Sequence, residues 1–274
     1  MLFLVQWIVS QYFVQEFSWL HLLCISGASI LIALAGNIWN DVEDIHLDLA
    51  NGKQGIILPE NATKAKIVAY TALFLGLVLG YLASNLARLE FFFFFCLAAL
   101  LLWLYAHYLS RYKFLSNFII SFLISLAILL SYYLEVEHPN YQRKFDAWHE
   151  LGLLLYAAYA FIYNWMREVI KDLEDKEGDV LAKRISLADI IGIKTVKLLL
   201  GLCFVALIVS IFVFMSFQDD LGKFKIIYLL NLLLLQFLAL VLLFEAKSKN
   251  SFRRLSSLIK WIMLFGLLIP LLVS

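Results

Sequence analysis

The chain has 274 residues, 63% hydrophobic and 16% charged, with a mean hydropathy of +0.86 and a formal net charge of +1. So apolar a composition, against about 45–50% in soluble domains, excludes a water-soluble enzyme and indicates an integral, multi-pass membrane protein. The near-balanced charge gives no reason to expect a nucleic-acid partner, and where the charges fall says more than their sum.

A spanning helix needs about 20 mainly apolar residues. Nine segments meet or approach that measure, near 1–15, 18–40, 64–85, 90–109, 114–134, 148–168, 193–215, 224–245 and 255–273. The fold class expected is therefore all-α, a polytopic membrane bundle of about nine helices. With only 3 Pro and 12 Gly, and no linker-like or low-complexity stretch, residues 1–274 read as a single domain. Met1 to Tyr12 lacks a basic leader region and a small-residue cleavage site, so it is expected to stay as a membrane segment, though too short to span comfortably. The run Phe91 to Phe95 is explained by a lipid-facing helix surface. Cys24, Cys96 and Cys203 are isolated in apolar segments, as buried thiols rather than a disulfide or metal framework.

The basic residues set the orientation. Connections after the second, fourth, sixth and eighth segments carry sixteen Lys and Arg, among them Lys53, Arg111, Lys113, Arg167 and Lys171, against five on the other side. The positive-inside rule puts the first set in the cytoplasm. Two long connections on that side, roughly 41–63 and 169–192, each begin with an acidic stretch that prolongs a spanning helix, and both are expected to form a cap over the bundle.

These two stretches repeat one pattern. Asn40-Asp41-Val42-Glu43-Asp44 leads to Asp48, and Arg167-Glu168-Val169-Ile170-Lys171-Asp172-Leu173-Glu174-Asp175 leads to Asp179, both as Asp-x-Glu-Asp-x-x-x-Asp. On a helix turning about 100° per residue, Asn37, Asn40, Asp41, Asp44 and Asp48 share roughly one third of the circumference. Clustered carboxylates repel unless a cation neutralises them. Oxygen ligands with no nearby Cys and a single His, His46, suit Mg²⁺ or Ca²⁺ rather than zinc. Mg²⁺ binds through one or two carboxylates plus substrate phosphates, so two such stripes suit two ions bridged by a diphosphate, with Arg167 and Lys171 one turn apart as cationic contacts. Glu43 and Glu174 point off the main face, as solvated charges. Glu168 lies on the face, open to either a metal role or a pairing with Arg167 or Lys171.

The paired aspartate-rich stretches resemble the two motifs of the UbiA superfamily of intramembrane prenyltransferases, and the resemblance extends over nearly the whole chain. It implies a Mg²⁺-dependent enzyme whose partners are an isoprenyl diphosphate, a lipophilic acceptor and the lipid bilayer of a prokaryotic inner membrane, with the active site facing the cytoplasm. By the same resemblance, Asn40, Asp41, Asp44 and Asp48 belong to the first motif, and Asp172, Asp175 and Asp179 to the second. Asn37, Arg111, Lys113 and Asn117 are candidate substrate contacts. One departure stands out: the arginine usual after the first motif is absent, and Lys53 stands nearby in Asn51-Gly52-Lys53-Gln54-Gly55. Lysine lacks the bidentate fork of arginine. The wording around Asp172 is closest to the geranylgeranylglycerol-phosphate geranylgeranyltransferase branch; quinone-precursor prenyltransferases share the motifs, and an aspartate-lined transporter is the alternative of another class.

Overall fold

The structure, a computed structural model, describes residues 2–14, 17–50, 57–138, 147–181, 184–216, 222–268 and 270. The described residues contain helices and no strand. The elements are α1 (Leu2–Val9, prolonged by a π turn at Ser10–Val14), α2 (Trp19–Ala50), α3 (Ala62–Leu86), α4 (Phe92–Leu104, prolonged by a π turn at Tyr105–Leu109) and α5 (Lys113–Val136). They continue with α6 (Ala147–Leu181), α7 (Leu187–Ile191), α8 (Ile193–Ser216), α9 (Lys223–Glu245) and α10 (Lys249–Gly266). Two compact units result, Met1–Ala158 and Tyr159–Ser274, and α6 contributes to both.

Among the described residues six helices are long and apolar enough to cross a membrane: Trp19–Ile45, Pro59–Leu86, Leu89–Leu109, Lys113–Val136, Ile193–Val213 and Lys223–Glu245. This is an integral membrane protein. The other three expected segments also contain helix among their described residues. The first is short, as its length suggested. The segment near 148–168 lies inside the longer, partly charged α6. The last starts earlier than 255, because Ser248 caps α10 and its basic first turns are helical, Ser248 Oγ accepting from the Ser251 amide.

In the first unit, α3 lies along α2 through small residues. Ala69, Ala72, Gly76, Gly80 and Ala83 recur every three or four positions on its buried face. A Cβ on Gly76 would sit 3.0 Å from Ile32 Cγ1 and 3.2 Å from the Ala28 carbonyl oxygen. In lipid there is no hydrophobic drive between helices, so such close backbone approach supplies the packing. The core includes Ile25, Ala28, Phe95, Leu102 and Leu134. Phe95 corrects the reading of the phenylalanine run. It is 2% exposed, whereas Phe93 is 64% exposed, so the run divides between core and lipid-facing surface. Of the cysteines, all free, only Cys24 is buried, and Cys96 and Cys203 are half-buried.

In the second unit, Met166 and Ile170 of α6 pack with Leu200 and Phe204 of α8, Leu229 and Leu243 of α9, and Leu255 and Ile259 of α10. Large apolar side chains such as Phe74, Phe224 and Leu234 remain exposed, as lipid contact requires.

Candidate active site

The first acidic stretch continues α2 without a break, because nothing between Asn37 and Ala50 interrupts a helix: the stretch holds no Pro and no Gly. Trp39, Val42 and Ile45 form its buried edge. Asn40, Asp41 and Asp44 are half-buried beside them, Asn37 and Glu43 exposed. Asn40 Nδ2 donates to Asp44 Oδ2 at 3.3 Å, which orients that carboxylate one turn from Asp41. The side chains of His46 and Asp48 lie outside the described residues, as does Lys53.

The π turn after α4 comes to the same end of the unit. His107 Nε2 is 3.8 Å from Glu43 Oε1, and its Nδ1–H donates to the Trp103 carbonyl at 2.9 Å. Four residues on, Arg111 is exposed in the turn, Lys113 half-buried at the start of α5, and Asn117 buried one turn further. The basic turn expected as a substrate contact therefore stands at the level of the first motif.

A cavity of about 230 Å³ opens within this unit. Asn37 lines it, and so do Ser29, Ile32 and Ala33 on the same face of α2, facing Phe94 and Leu102 of α4 and Leu123 and Leu130 of α5. Its walls are apolar apart from Asn37 and Ser29. Ser29 Oγ accepts from Gln6 Nε2 at 3.0 Å and donates to the Ile25 carbonyl at 2.9 Å. The sequence reading passed over Gln6, although a glutamine inside an apolar helix was visible.

The second stretch lies on α6. Asp172 and Asp179 are buried, Asp175 and Glu168 half-buried, and Lys171 exposed. Arg167 Nη1 donates to Glu168 Oε1, so of the two roles left open for Glu168 the pairing is the one seen. Glu174 is not a solvated charge. Its side chain is only 12% exposed and accepts an ion pair from Arg253 Nε of α10 at 3.4 Å. Asp179 Oδ1 stands 4.0 Å from Arg184 Nη1, and the Arg184 amide donates to the Asp179 carbonyl at 2.9 Å. Arg184 was counted only as a topology charge. Asn164 was also missed: it is 5% exposed and one turn before Glu168, a polar residue on the motif face within an apolar span. Beyond the motif, Asp189 closes a capping box at α7. The Ser186 hydroxyl, more than the Ser186 amide and Lys176, holds its carboxyl below the usual value against the opposing effect of burial.

Among the described residues no three His, Cys, Asp or Glu side chains converge as a metal cage. Mg²⁺ does not require one, because it keeps waters and takes one or two carboxylates together with phosphate oxygens. Asp41 with Asp44, and Asp172 with Asp175, provide hard oxygen donors one turn apart on each helix, and this donor set fits Mg²⁺.

A family model described as the UbiA prenyltransferase family matches residues 2–264. The chain is 30% identical over 239 residues to a digeranylgeranylglyceryl phosphate synthase of Methanococcus vannielii, covering 85% of this chain and 78% of the relative. A protein of the same name from Methanocaldococcus jannaschii is 29% identical over 234 residues, covering 83% and 75%. Among solved structures, one concerned with digeranylgeranylglyceryl phosphate synthase in membranes superposes with a TM-score of 0.69 at 24% identity, covering 97% of this chain and 90% of that one. The apo structure of a UbiA homolog from Aeropyrum pernix K1 gives 0.67 at 13% identity, covering 99% and 98%.

Proposed function

The chain belongs to the UbiA prenyltransferase family, and from that premise we propose that it transfers a prenyl group from an isoprenyl diphosphate to geranylgeranylglyceryl phosphate, releasing diphosphate in a Mg²⁺-dependent reaction. The names of the similar synthases support this acceptor. The observation that carries the reading is the repeated Asp-x-x-Asp-x-x-x-Asp spacing on two helices, each running unbroken from an apolar stretch into an acidic one.

In this reading Asp41, Asp44 and Asp48, with Asn40, and Asp172, Asp175 and Asp179 are the residues that would hold Mg²⁺, two ions in all, together with the diphosphate. Bound Mg²⁺ supplies the charge neutralisation that makes diphosphate a leaving group. The carbon–oxygen bond to the diphosphate breaks, its electron pair leaving with the phosphate oxygen. A new ether bond forms to the acceptor hydroxyl, whose proton is lost. Asn40 keeps Asp44 aimed. Lys171, exposed on the motif helix, is better placed to meet a phosphate oxygen than Arg167, which Glu168 already holds. Arg111 contacts substrate from the turn before α5, Lys113 and Asn117 from the start of α5, and Lys53 after the first motif. Glu168 acts by fixing Arg167 rather than as a ligand.

The cavity below Asn37 offers apolar walls to a prenyl tail and keeps water from the reacting carbon. The whole chain acts as one domain crossing the membrane nine times, with α1, α6 and α10 as the additional spans. The acidic ends are capped and face the cytoplasm of a prokaryotic inner membrane, as the distribution of Lys and Arg supports.

The test is binding of inorganic diphosphate to the purified protein by titration calorimetry. Binding is expected only when Mg²⁺ is present, and Asp44→Asn and Asp172→Asn should each weaken it about tenfold or more, the cost of at least one charge-assisted contact. Equal binding in EDTA would remove the metal from the account.

A further inference from the structure

The helix α10 carries a surface that prenyl transfer does not use. One face, Phe252, Leu255, Ser256, Ile259 and Ile262, is buried in the second unit. The opposite face is exposed and changes character along its length. Arg253, Arg254, Ser257 and Lys260 come first, and Trp261, Leu264 and Phe265 follow.

The register gives this face a shape. On a helix, residues three and four positions away are the side-chain neighbours of a given residue. The neighbours of Ser257 are therefore Arg253, Arg254, Lys260 and Trp261. A small hydroxyl side chain thus has three long cationic side chains and an indole at the positions around it. The Ser257 hydroxyl donates back to the Arg253 carbonyl at 2.9 Å, which keeps it low against the helix. Arg253 shares its charge with Glu174. Among the described residues no carboxylate pairs with Arg254 or Lys260.

Contacts within the same unit fix the depth. Arg253 is level with Glu174, beyond the apolar part of α6. At the other end of α10 the Phe265 carbonyl accepts from the Tyr228 hydroxyl, near the start of α9. Helix α10 thus runs back along the membrane-crossing α9, and Lys260, seven residues and about 10 Å past Arg253, lies at a depth where α9 is apolar. The long stem lets an exposed ammonium there reach back towards the polar boundary, the direction in which Ser257 and Arg253 lie.

We propose that this face of α10 binds one anionic phospholipid of the surrounding membrane, with the phosphate seated over Ser257 among Arg253, Arg254 and Lys260 and the chains laid along Trp261, Leu264 and Phe265. The order of the face, cationic and then aromatic and aliphatic, is the order of such a lipid from headgroup to tail. Charge complementarity favours an anionic lipid over a zwitterionic one. The inference does not depend on the prenyl-transfer reading, since it uses no motif residue as a ligand.

The test uses the full chain in nanodiscs of phosphatidylcholine with a rising fraction of brominated phosphatidylglycerol. The readout is the quenching lost in Trp261→Phe, which isolates Trp261 from the other tryptophans. Quenching should saturate, with a half-saturating fraction about fivefold lower than for brominated phosphatidylcholine, a factor that matches one Lys or Arg near an anionic surface. Lys260→Gln and Arg254→Gln should each measurably lower that preference, and Lys64→Gln, on an exposed lysine of α3, should leave it intact. Equal quenching by the two lipids, no effect of either substitution, or the same loss in Lys64→Gln would overturn the proposal. Brominated phosphatidic acid tests the occupant: equality with phosphatidylglycerol is expected, and a strong preference for the monoester would overturn the membrane-phospholipid reading. Competition by free inorganic phosphate as strong as that by lipid would overturn the lipid reading. Since turnover is not measured, failure here leaves the proposed reaction standing, and failure of the reaction leaves this site standing.

Discussion

Glu135→Leu should unfold the first unit at a measurably lower temperature, and the buried contact it removes fixes the size of the effect. His21 and Glu135 have side chains 0% and 1% exposed, with Nδ1 and Oε2 at 3.2 Å. His21 Nε2 is 3.0 Å from the Ala83 carbonyl oxygen, which can only accept, so Nε2 carries a proton. One further proton then lies between Nδ1 and Oε2, and the pair is neutral overall whether it is imidazole with carboxylic acid or imidazolium with carboxylate. Removing Glu135 strands a buried nitrogen. That costs about 1–3 kcal/mol if the pair is uncharged and about 3–5 kcal/mol if it is ionic. At about 2–4 °C per kcal/mol for a chain of this size, the melting temperature should fall by roughly 2–12 °C if the pair is uncharged and by roughly 6–20 °C if it is ionic. The assay is thermal unfolding in detergent of His21→Leu, Glu135→Leu and the double variant. A coupling energy above about 1 kcal/mol is expected, and one below about 0.5 kcal/mol would refute the reasoning.

Two further outcomes follow from packing and capping. Gly76→Leu places side-chain atoms where Ile32 and the α2 backbone already stand, so α3 must move off α2, at a cost of about 1–3 kcal/mol, read as a lower melting temperature. Asp189→Ala removes the capping box at α7 and should cost about 1 kcal/mol at neutral pH. Because the carboxyl is held below its usual value of 3.8, its contribution is complete above that pH and disappears as pH falls through the lower folded value. Hydrogen exchange at α7 should therefore differ between wild type and variant at pH 7 and converge in acid. A difference that persists in acid would remove Asp189 from that role.

The sequence revealed what depends on near neighbours. Acids at three- and four-residue spacing declared the two motifs because a helix brings those positions onto one face whatever surrounds it. The long apolar helices were equally plain. Partners chosen by the fold were not visible: Glu174 read as solvated because its cation, Arg253, lies in another helix, and the pair of His21 with Glu135 joins distant segments. The phenylalanine run misled because a membrane helix is apolar on every side, so composition does not say that Phe95 turns inward against Gly80 while Phe93 turns outward. Asn164 was within reach, since a lone asparagine one turn before Glu168 continues the motif face. The start of α10 was misplaced because hydropathy counts its arginines against a helix that Ser248 caps.

The most direct measurement is turnover of the purified protein in lipid with radiolabelled geranylgeranyl diphosphate, geranylgeranylglyceryl phosphate and Mg²⁺. A product carrying two geranylgeranyl chains is expected. EDTA should abolish it, and Asp44→Ala and Asp175→Ala should each lower the rate about a hundredfold or more, as loss of a group that stabilises developing charge does. Product formed at the same rate in EDTA, or unchanged turnover in both variants, would contradict the account.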